Sequence, residues 1–412
     1  MSSNEKKQSL NEIIEHRLEK LQVIKDNNID PFPHNFSLDN SIENLLDDYS
    51  NFKDDIQTAG RIVSFRKMGK ACFCHIQNEG SKIQLYIKKD LLAENEYDII
   101  VKNLDIGDII GVQGSLFHTK TEELSIKCSK VILLSKSIRP LPNIKEKDGK
   151  LFFEFENKEL RYGNRHLDLI VNTNVKEDFI FRANLIKEIR SFLSENNYLE
   201  VETPVLQPLY GGANARPFTT FHNTLDEKLY LRISLELYLK RLIIGGINRV
   251  FEISKNFRNE GMDKNHNPEF TMLEFYSAYS DVYDMMSFTE DMVKAALFNT
   301  KNVDNIVYDN QNINFKNKFQ VLDFFDSIKH FSGKDIKGMS IEDMKKFLKK
   351  SNIEINKDDH YGNLVDKLFS SFVEPELIQP TFIINFPKEI SPLAKTHRDD
   401  DQLVERFELF IG

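Results

Sequence analysis

The 412-residue sequence has no tryptophan, only three cysteines, no long apolar run and no excess of positive charge. The missing tryptophan excludes nothing, and the 32 phenylalanines and 13 tyrosines beside it carry no functional weight. Cys72, Cys74 and Cys128 form no C-x-x-C pair, which argues against a disulfide framework or a zinc site and fits a reducing cytoplasm. No apolar stretch approaches the roughly 18 residues that cross a bilayer, and the start MSSNEKKQSL has no signal-peptide core, so a soluble intracellular chain is expected. The formal net charge of -9 leaves no bulk basic footprint, so a nucleic-acid partner would need a local basic surface. Hydrophobic residues make up 40% of the chain, enough for the two or three cores that its length implies.

What is present changes period along the chain. Residues 8–27 repeat apolar side chains at Leu10, Ile13, Ile14, Leu18, Leu21 and Ile24, which predicts an amphipathic helical arm ended by Asp30-Pro31-Phe32-Pro33. Its charged face reads as solvated surface before it reads as an RNA contact. From about residue 57 to 138 the period is two, with glycines punctuating short strands. Such a segment suits a small closed barrel of the OB-fold kind, with Cys72, Cys74 and Ile76 on the inner side and Phe73 and His75 on the other. We expect an arm and linker over 1–56, the barrel over 57–140, a linker over 141–152 and a second domain over 153–412. In that domain strands joined by hairpins and interrupted by helices predict an α+β fold with an antiparallel sheet, carrying a helical insertion at about 319–373. No internal repeat is visible.

The segment 249–279, RVFEISKNFRNEGMDKNHNPEFTMLEFYSAY, reads as two strands around a polar loop. Arg258 stands where the first strand enters the loop, and a guanidinium held on a strand suits phosphate or carboxylate. Phe270, Met272, Glu274 and Tyr276 share one face of the returning strand. Spacing alone favours a wet polar face for this hairpin, an ordinary loop residue for His266 and a helix-surface charge for Glu236.

The words are more specific than the spacing. Phe257-Arg258-Asn259-Glu260 followed by His266-Asn267-Pro268-Glu269-Phe270-Thr271 resembles motif 2 of the class II aminoacyl-tRNA synthetases in its lysyl version. YLEVETPVLQPLYGGANARPF resembles motif 1, LRISLELYLKRLIIGGINRVFEI leads into motif 2, and PLAKTHRDDDQLVERFELFIG resembles the approach to the final active-site strands. GRIVSFRKMGKACFCHIQ, IQLYIKKD and TEELSIKCSKV resemble the anticodon-binding OB-fold barrel of the same lysyl-tRNA synthetase family. The resemblance runs from about residue 10 to the last residue.

It implies an ATP-dependent ligase that activates L-lysine to lysyl-adenylate and transfers it to tRNA-Lys, a cytoplasmic enzyme of protein biosynthesis and a homodimer through the motif 1 region. By match to motif 2, Arg258 neutralises the α-phosphate of ATP, Glu260, His266 and Asn267 lie along the nucleotide, and Phe270 stacks on adenine. Gly212 and Glu236 are implied at the α-amino end of lysine, with Glu274 and Tyr276 at its ε-ammonium, because a buried cation needs an anionic partner. Glu408 matches the first of two family glutamates that hold Mg2+. In the barrel, Phe73 is implied to stack on an anticodon base, Gln84 and Glu123 to bond its edge, and Arg66 to stand nearby; without the resemblance Phe73 reads as a rim contact.

The family continues past the position of Gly412 with a further pocket strand, the second metal glutamate and motif 3 with its ATP-binding arginine. The resemblance therefore leads to the expectation of a C-terminally truncated member. Two other readings are carried: a truncated, non-catalytic RNA-binding paralogue, and an aspartyl or asparaginyl relative. Intact Arg258, Glu274 and Phe270 argue against the first, and an acidic pocket against the second. Ser234-Leu235 stands where relatives have a small residue followed by proline, a change from which little effect is expected.

Overall fold

The computed structural model describes residues 9–49, 52, 56–142, 144–147, 150–153, 157–172, 174–263, 265–356 and 358–412. The first eight residues, which were read for a signal core, lie outside this set, as do positions 143, 148 and 149 of the expected linker. Contacts divide the chain into two compact units, Met1–Ile180 and Phe181–Gly412.

In the first unit the arm is helix α1, Leu10–Asp26, begun by a capping box in which Ser9 and Glu12 each satisfy the other's backbone N–H. Ile24 is fully buried, as the apolar stripe predicts. The charged face is not simply solvated. Arg17 is buried and donates to the carbonyls of Ser137 at 2.8 Å and Ile106 at 3.1 Å, and Lys20 pairs with Asp105 at 2.5 Å. A long cation can bury its methylene stem while its head finds backbone acceptors, which periodicity cannot reveal.

The period-two region forms strands β1 (Ile56–Met68), β2 (Ala71–Asn78), β3 (Ser81–Lys88), β4 (Ile109–His118) and β5 (Leu124–Ser135), closed as a barrel in the order β1-β2-β3-β5-β4. Parallel pairing of Gln84–Tyr86 with Ser125–Lys127 completes a ring whose other ladders are antiparallel. At the β4–β5 contact an added Cβ on Gly114 would lie 2.2 Å from the Lys127 carbonyl oxygen, so only glycine allows the strands to approach there. Cys72, Cys74, Ile76, Ile83, Leu85, Ile87, Ile126 and Cys128 are fully or almost fully buried in one core. Each such Ile or Leu contributes on the order of 1.5–3 kcal/mol. The alternate residues Phe73, His75, Gln84 and Tyr86 point outward and stay partly exposed. Across the expected linker and the first residue after it, Ile144–Lys147 and Lys150–Phe153 pair as a short antiparallel ladder.

The second unit holds most of helix α2 (Val175–Glu195), then β6 (Leu199–Glu200), helix α3 (Glu236–Ile244), β7 (Arg249–Phe257), β8 (Glu269–Ser277) and helix α4 (Val282–Lys301). β7 and β8 form an unbroken antiparallel hairpin from Arg249↔Ser277 to Phe257↔Glu269, and β6 joins β7 in parallel. One hairpin face, with Phe251, Ile253, Leu273 and Phe275, packs on Leu193, Tyr198, Phe288 and Met292. That leaves Glu252, Ser254, Asn256, Phe270, Met272, Glu274 and Tyr276 on the opposite face, where Val250 and Tyr276 meet Leu239 of α3 and Leu235 just before it.

A second sheet is made of β9 (Gln320–Asp323), β10 (Thr381–Pro387) and β11 (Leu403–Phe410), parallel then antiparallel. The expected insertion thus begins with a strand, and its helices Phe324–Ser332, Ile341–Lys350 and Tyr361–Phe372 follow. Four residues are too few to show a period, which is why β9 reads as helix in the sequence. The fold class is the expected α+β: a closed barrel followed by sheets with helices.

Candidate functional site

β7 delivers Arg258 to the start of the polar loop, where its backbone N–H bonds the Pro268 carbonyl at 2.9 Å and so ties the two ends of the loop together. The guanidinium lies over the Phe270 ring at 5.1 Å and donates from Nε to the Ile233 carbonyl at 3.4 Å. Among the described residues no carboxylate pairs with it, so its two terminal nitrogens are left to donate to an anionic ligand. A cavity of about 310 Å³ opens here, lined by Arg258, Glu260, Asp263, His266, Asn267 and Phe270. The geometry therefore brings all five sequence-predicted nucleotide residues to one hollow. Asp263 was not foreseen: its carboxylate accepts from the backbone N–H groups of Asn265 and His266 and holds the His266 ring at 2.8 Å. The Asn265 N–H first, then the His266 ring and the His266 N–H, hold the Asp263 carboxyl below its ordinary range.

Further along the same face Glu274 accepts three donors. Oε1 takes the Ser234 hydroxyl at 2.8 Å and the Leu235 N–H at 3.0 Å, and Oε2 takes the Tyr276 hydroxyl at 2.9 Å. Burial, then Glu274 and more weakly Glu236, push the Tyr276 phenol far above its ordinary value, which marks the neighbourhood as anionic. Among the described residues no cation pairs with Glu274. Glu236, at the first turn of α3, is paired with Lys240 at 2.7 Å. Gly212 closes the group: with φ at +87°, a Cβ there would stand 2.9 Å from both Glu236 Cβ and Ser234 Oγ. The nucleotide-side and carboxylate-side groups are adjacent because both grip one segment, Arg258 at Ile233 and Glu274 at Ser234 and Leu235. Chemically this is a cationic fork and an aromatic face beside a pre-oriented anion.

Two supports went unread in the sequence. Ser234 joins two parts of the site, since its hydroxyl both donates to Glu274 and accepts the Glu236 N–H at 3.2 Å. Beneath the site Arg232 is 1% exposed and pairs with buried Glu252 at 2.7 Å. Arg232 also donates to the Lys255 and Thr203 carbonyls and the Ser254 hydroxyl, while Glu252 accepts from Thr203. A lone arginine at the start of a helix approach carries no sequence signal of such burial.

Glu408 lies on β11 opposite Ile383 and is paired with Arg406. Among the described residues no group of three or more His, Cys, Asp or Glu is arranged to hold a metal ion. Magnesium usually takes one or two carboxylates with substrate phosphates and water, so this donor set alone does not make a metal centre.

On the barrel a hollow of about 450 Å³ is lined by Ser64, Phe65, Arg66, Met68, Phe73, His75, Gln84, Thr119 and Thr121. Glu123 stands at its edge, accepting from Gln84 Nε2 at 2.7 Å and facing His75 Nε2 at 2.8 Å. The Phe73 ring packs on Tyr86 with centroids 5.0 Å apart. The four residues expected here are thus gathered in one place, with His75 added to them.

Comparison with known proteins bears on both regions. Residues 157–412 match the tRNA synthetases class II (D, K and N), and residues 56–134 match the OB-fold nucleic acid binding domain. Lysine–tRNA ligase 2 of Methanosarcina mazei is 45% identical over 401 residues, covering 96% of this chain and 77% of that protein. The lysine–tRNA ligases of two Bacillus cereus strains, B4264 and ATCC 14579, are each 42% identical over 413 residues, covering 98% of this chain and 81% of theirs.

Proposed function

The chain belongs to the class II tRNA synthetases of the D, K and N group, and from that membership we propose that it ligates L-lysine to tRNA-Lys at the expense of ATP. The observation that carries the choice of lysine is Glu274, a carboxylate held by Ser234, Leu235 and Tyr276 with no cation paired to it among the described residues. An acidic or amide side chain would need a donor in that place.

In this reading a carboxylate oxygen of lysine attacks the α-phosphorus of ATP in line, pyrophosphate leaves, and a terminal ribose hydroxyl of the tRNA then takes the lysyl group as AMP departs. Phosphoryl transfer depends chiefly on positioning and charge neutralisation, which is the part given to Arg258. Phe270 offers a stacking face to adenine, and Glu260, His266 and Asn267 bind along the nucleotide. Glu274 and Tyr276 receive the ε-ammonium, with Gly212 and Glu236 at the α-amino end. Mg2+ is the proposed divalent ion accompanying ATP: Glu408 would help to hold it, and the ion would neutralise phosphate charge.

Phe73, Gln84, Glu123 and Arg66 are proposed to hold an anticodon base by stacking and edge contacts. A homodimer through the motif 1 region is supported by the exposure of Leu206, Leu209 and Tyr210. A cytoplasmic location fits three unpaired buried thiols and the absence, among the described residues, of a helix long and apolar enough to cross a membrane.

The test is exchange of labelled pyrophosphate into ATP with lysine, aspartate or asparagine as the amino acid. Lysine alone should support it and Arg258→Ala should abolish it. Exchange driven by aspartate or asparagine in preference to lysine would overturn the assignment.

A further inference from the structure

Glu123 lies at the end of the β4–β5 turn, where its backbone N–H bonds Thr119 Oγ1 at 3.1 Å and its carbonyl accepts from the Thr119 N–H at 3.0 Å. Its side chain is 46% exposed, so nothing in the turn itself fixes the carboxylate. Two side chains do. Gln84 holds Oε2 from β3, and its own orientation is set because its Oε1 accepts the Ser125 hydroxyl at 2.8 Å. His75 holds Oε1 from β2, and its other ring nitrogen meets the Ser64 hydroxyl of β1 at 2.7 Å. A neutral ring that donates from Nε2 leaves Nδ1 to accept from Ser64, so each contact in the chain Ser64–His75–Glu123–Gln84–Ser125 has a donor and an acceptor.

We infer that His75 is a positioning residue for tRNA recognition: by pinning Glu123 Oε1 it pre-orients the carboxylate toward the barrel hollow so that a base edge meets a fixed acceptor. The inference rests on the reading of that hollow as the anticodon site. Its physical content is entropic. A glutamate free on an exposed turn must be ordered at the moment of binding, whereas one already held between an imidazole and an amide need not be. His75 itself lines the hollow beside Phe73, so the double variant below separates action through the carboxylate from a direct contact with the base.

The experiment is steady-state aminoacylation of a tRNA-Lys transcript by the full chain, comparing His75→Ala, His75→Gln, Glu123→Ala and the double variant His75→Ala with Glu123→Ala. Immobilising one rotamer-rich side chain corresponds to a rise in KM for tRNA of roughly five- to tenfold in His75→Ala, with kcat retained. His75→Gln, whose amide can still donate to Glu123, should recover KM to within about threefold of wild type. In the Glu123→Ala background, loss of His75 should add less than about twofold, because the carboxylate it serves is gone.

An unchanged KM in His75→Ala overturns the inference, as does a KM effect of equal size in both backgrounds, or a loss of kcat without a KM change. If Glu123→Ala itself leaves KM for tRNA untouched, the anticodon reading of the hollow fails and this inference falls with it. That outcome is distinct from a failure at His75 alone.

Discussion

Glu274→Gln isolates the charge of the proposed lysine pocket from its shape. The Leu235 N–H, 3.0 Å from Oε1, needs an acceptor, so the new amide keeps its oxygen on the Ser234 and Leu235 side. Its NH2 then faces the Tyr276 hydroxyl, which can accept in place of donating. The fold loses no hydrogen bond, yet an incoming ammonium meets a donor edge where an anion stood. Truncating one partner of a hydrogen-bonded charge pair costs about 2–5 kcal/mol, and partial exposure of this pocket places the expected loss at about 2–4 kcal/mol. That is a fall in kcat/KM for lysine of roughly 30- to 900-fold in pyrophosphate exchange, with KM for ATP within about threefold of wild type. A kcat/KM for lysine within about threefold of wild type would refute the reasoning, because the carboxylate would then not be the lysine-reading group.

Gly212→Ala puts a methyl 2.9 Å from Glu236 Cβ and Ser234 Oγ at a backbone φ of +87°, so lysine-dependent exchange should fall at least about tenfold while the barrel's affinity for tRNA stays. Titrating exchange and tRNA binding on one preparation checks both. Arg232→Ala leaves Glu252 buried without its cation and should lower stability by about 3–5 kcal/mol, an apparent melting drop on the order of 10 °C in a thermal scan; a drop under about 2 °C would speak against a buried pair. Burial pushes the Cys72 thiol up to about 11, and the Cys74 and Cys128 thiols are also raised by burial. The unfolded chain releases these protons from about pH 8.5 while the folded chain keeps them. Stability should therefore be level below that pH and decline above it, by up to about 1.4 kcal/mol per pH unit per thiol. Urea midpoints at pH 8 and pH 10 for wild type and a Cys→Ala triple variant measure this, and an equal decline in both would contradict it.

Much of the fold is legible because burial imposes a period. The inner side of β2, with Cys72, Cys74 and Ile76, and the split of the β7–β8 hairpin into an apolar and a polar face both follow from alternation alone. The positions at the hairpin, by contrast, are named by local words and not by spacing, since Arg258 and Phe270 are twelve residues apart and meet only through strand register. What stayed hidden depends on long-range placement. Arg17 looks like a solvated helix charge until Ser137 and Ile106 supply carbonyls from elsewhere in the chain. Ser234 looks like an ordinary small polar residue until Glu274, forty residues away, supplies an acceptor. His75 shares the outward period of Phe73, yet its use is set by Ser64 on β1 and by Glu123 at the β4–β5 turn. Strand β9 is too short for any pattern, and only its parallel partner β10 defines it.

The account turns on a cation at 258 and an anion at 274 serving opposite ends of one ligand, and a crystal structure of the chain with a non-hydrolysable lysyl-adenylate analogue tests that most directly. It predicts the α-phosphate mimic on the Arg258 guanidinium and the lysine ammonium about 3 Å from Glu274, with the adenine against Phe270. An analogue bound with its ammonium directed away from Glu274, or its phosphate mimic away from Arg258, would contradict it.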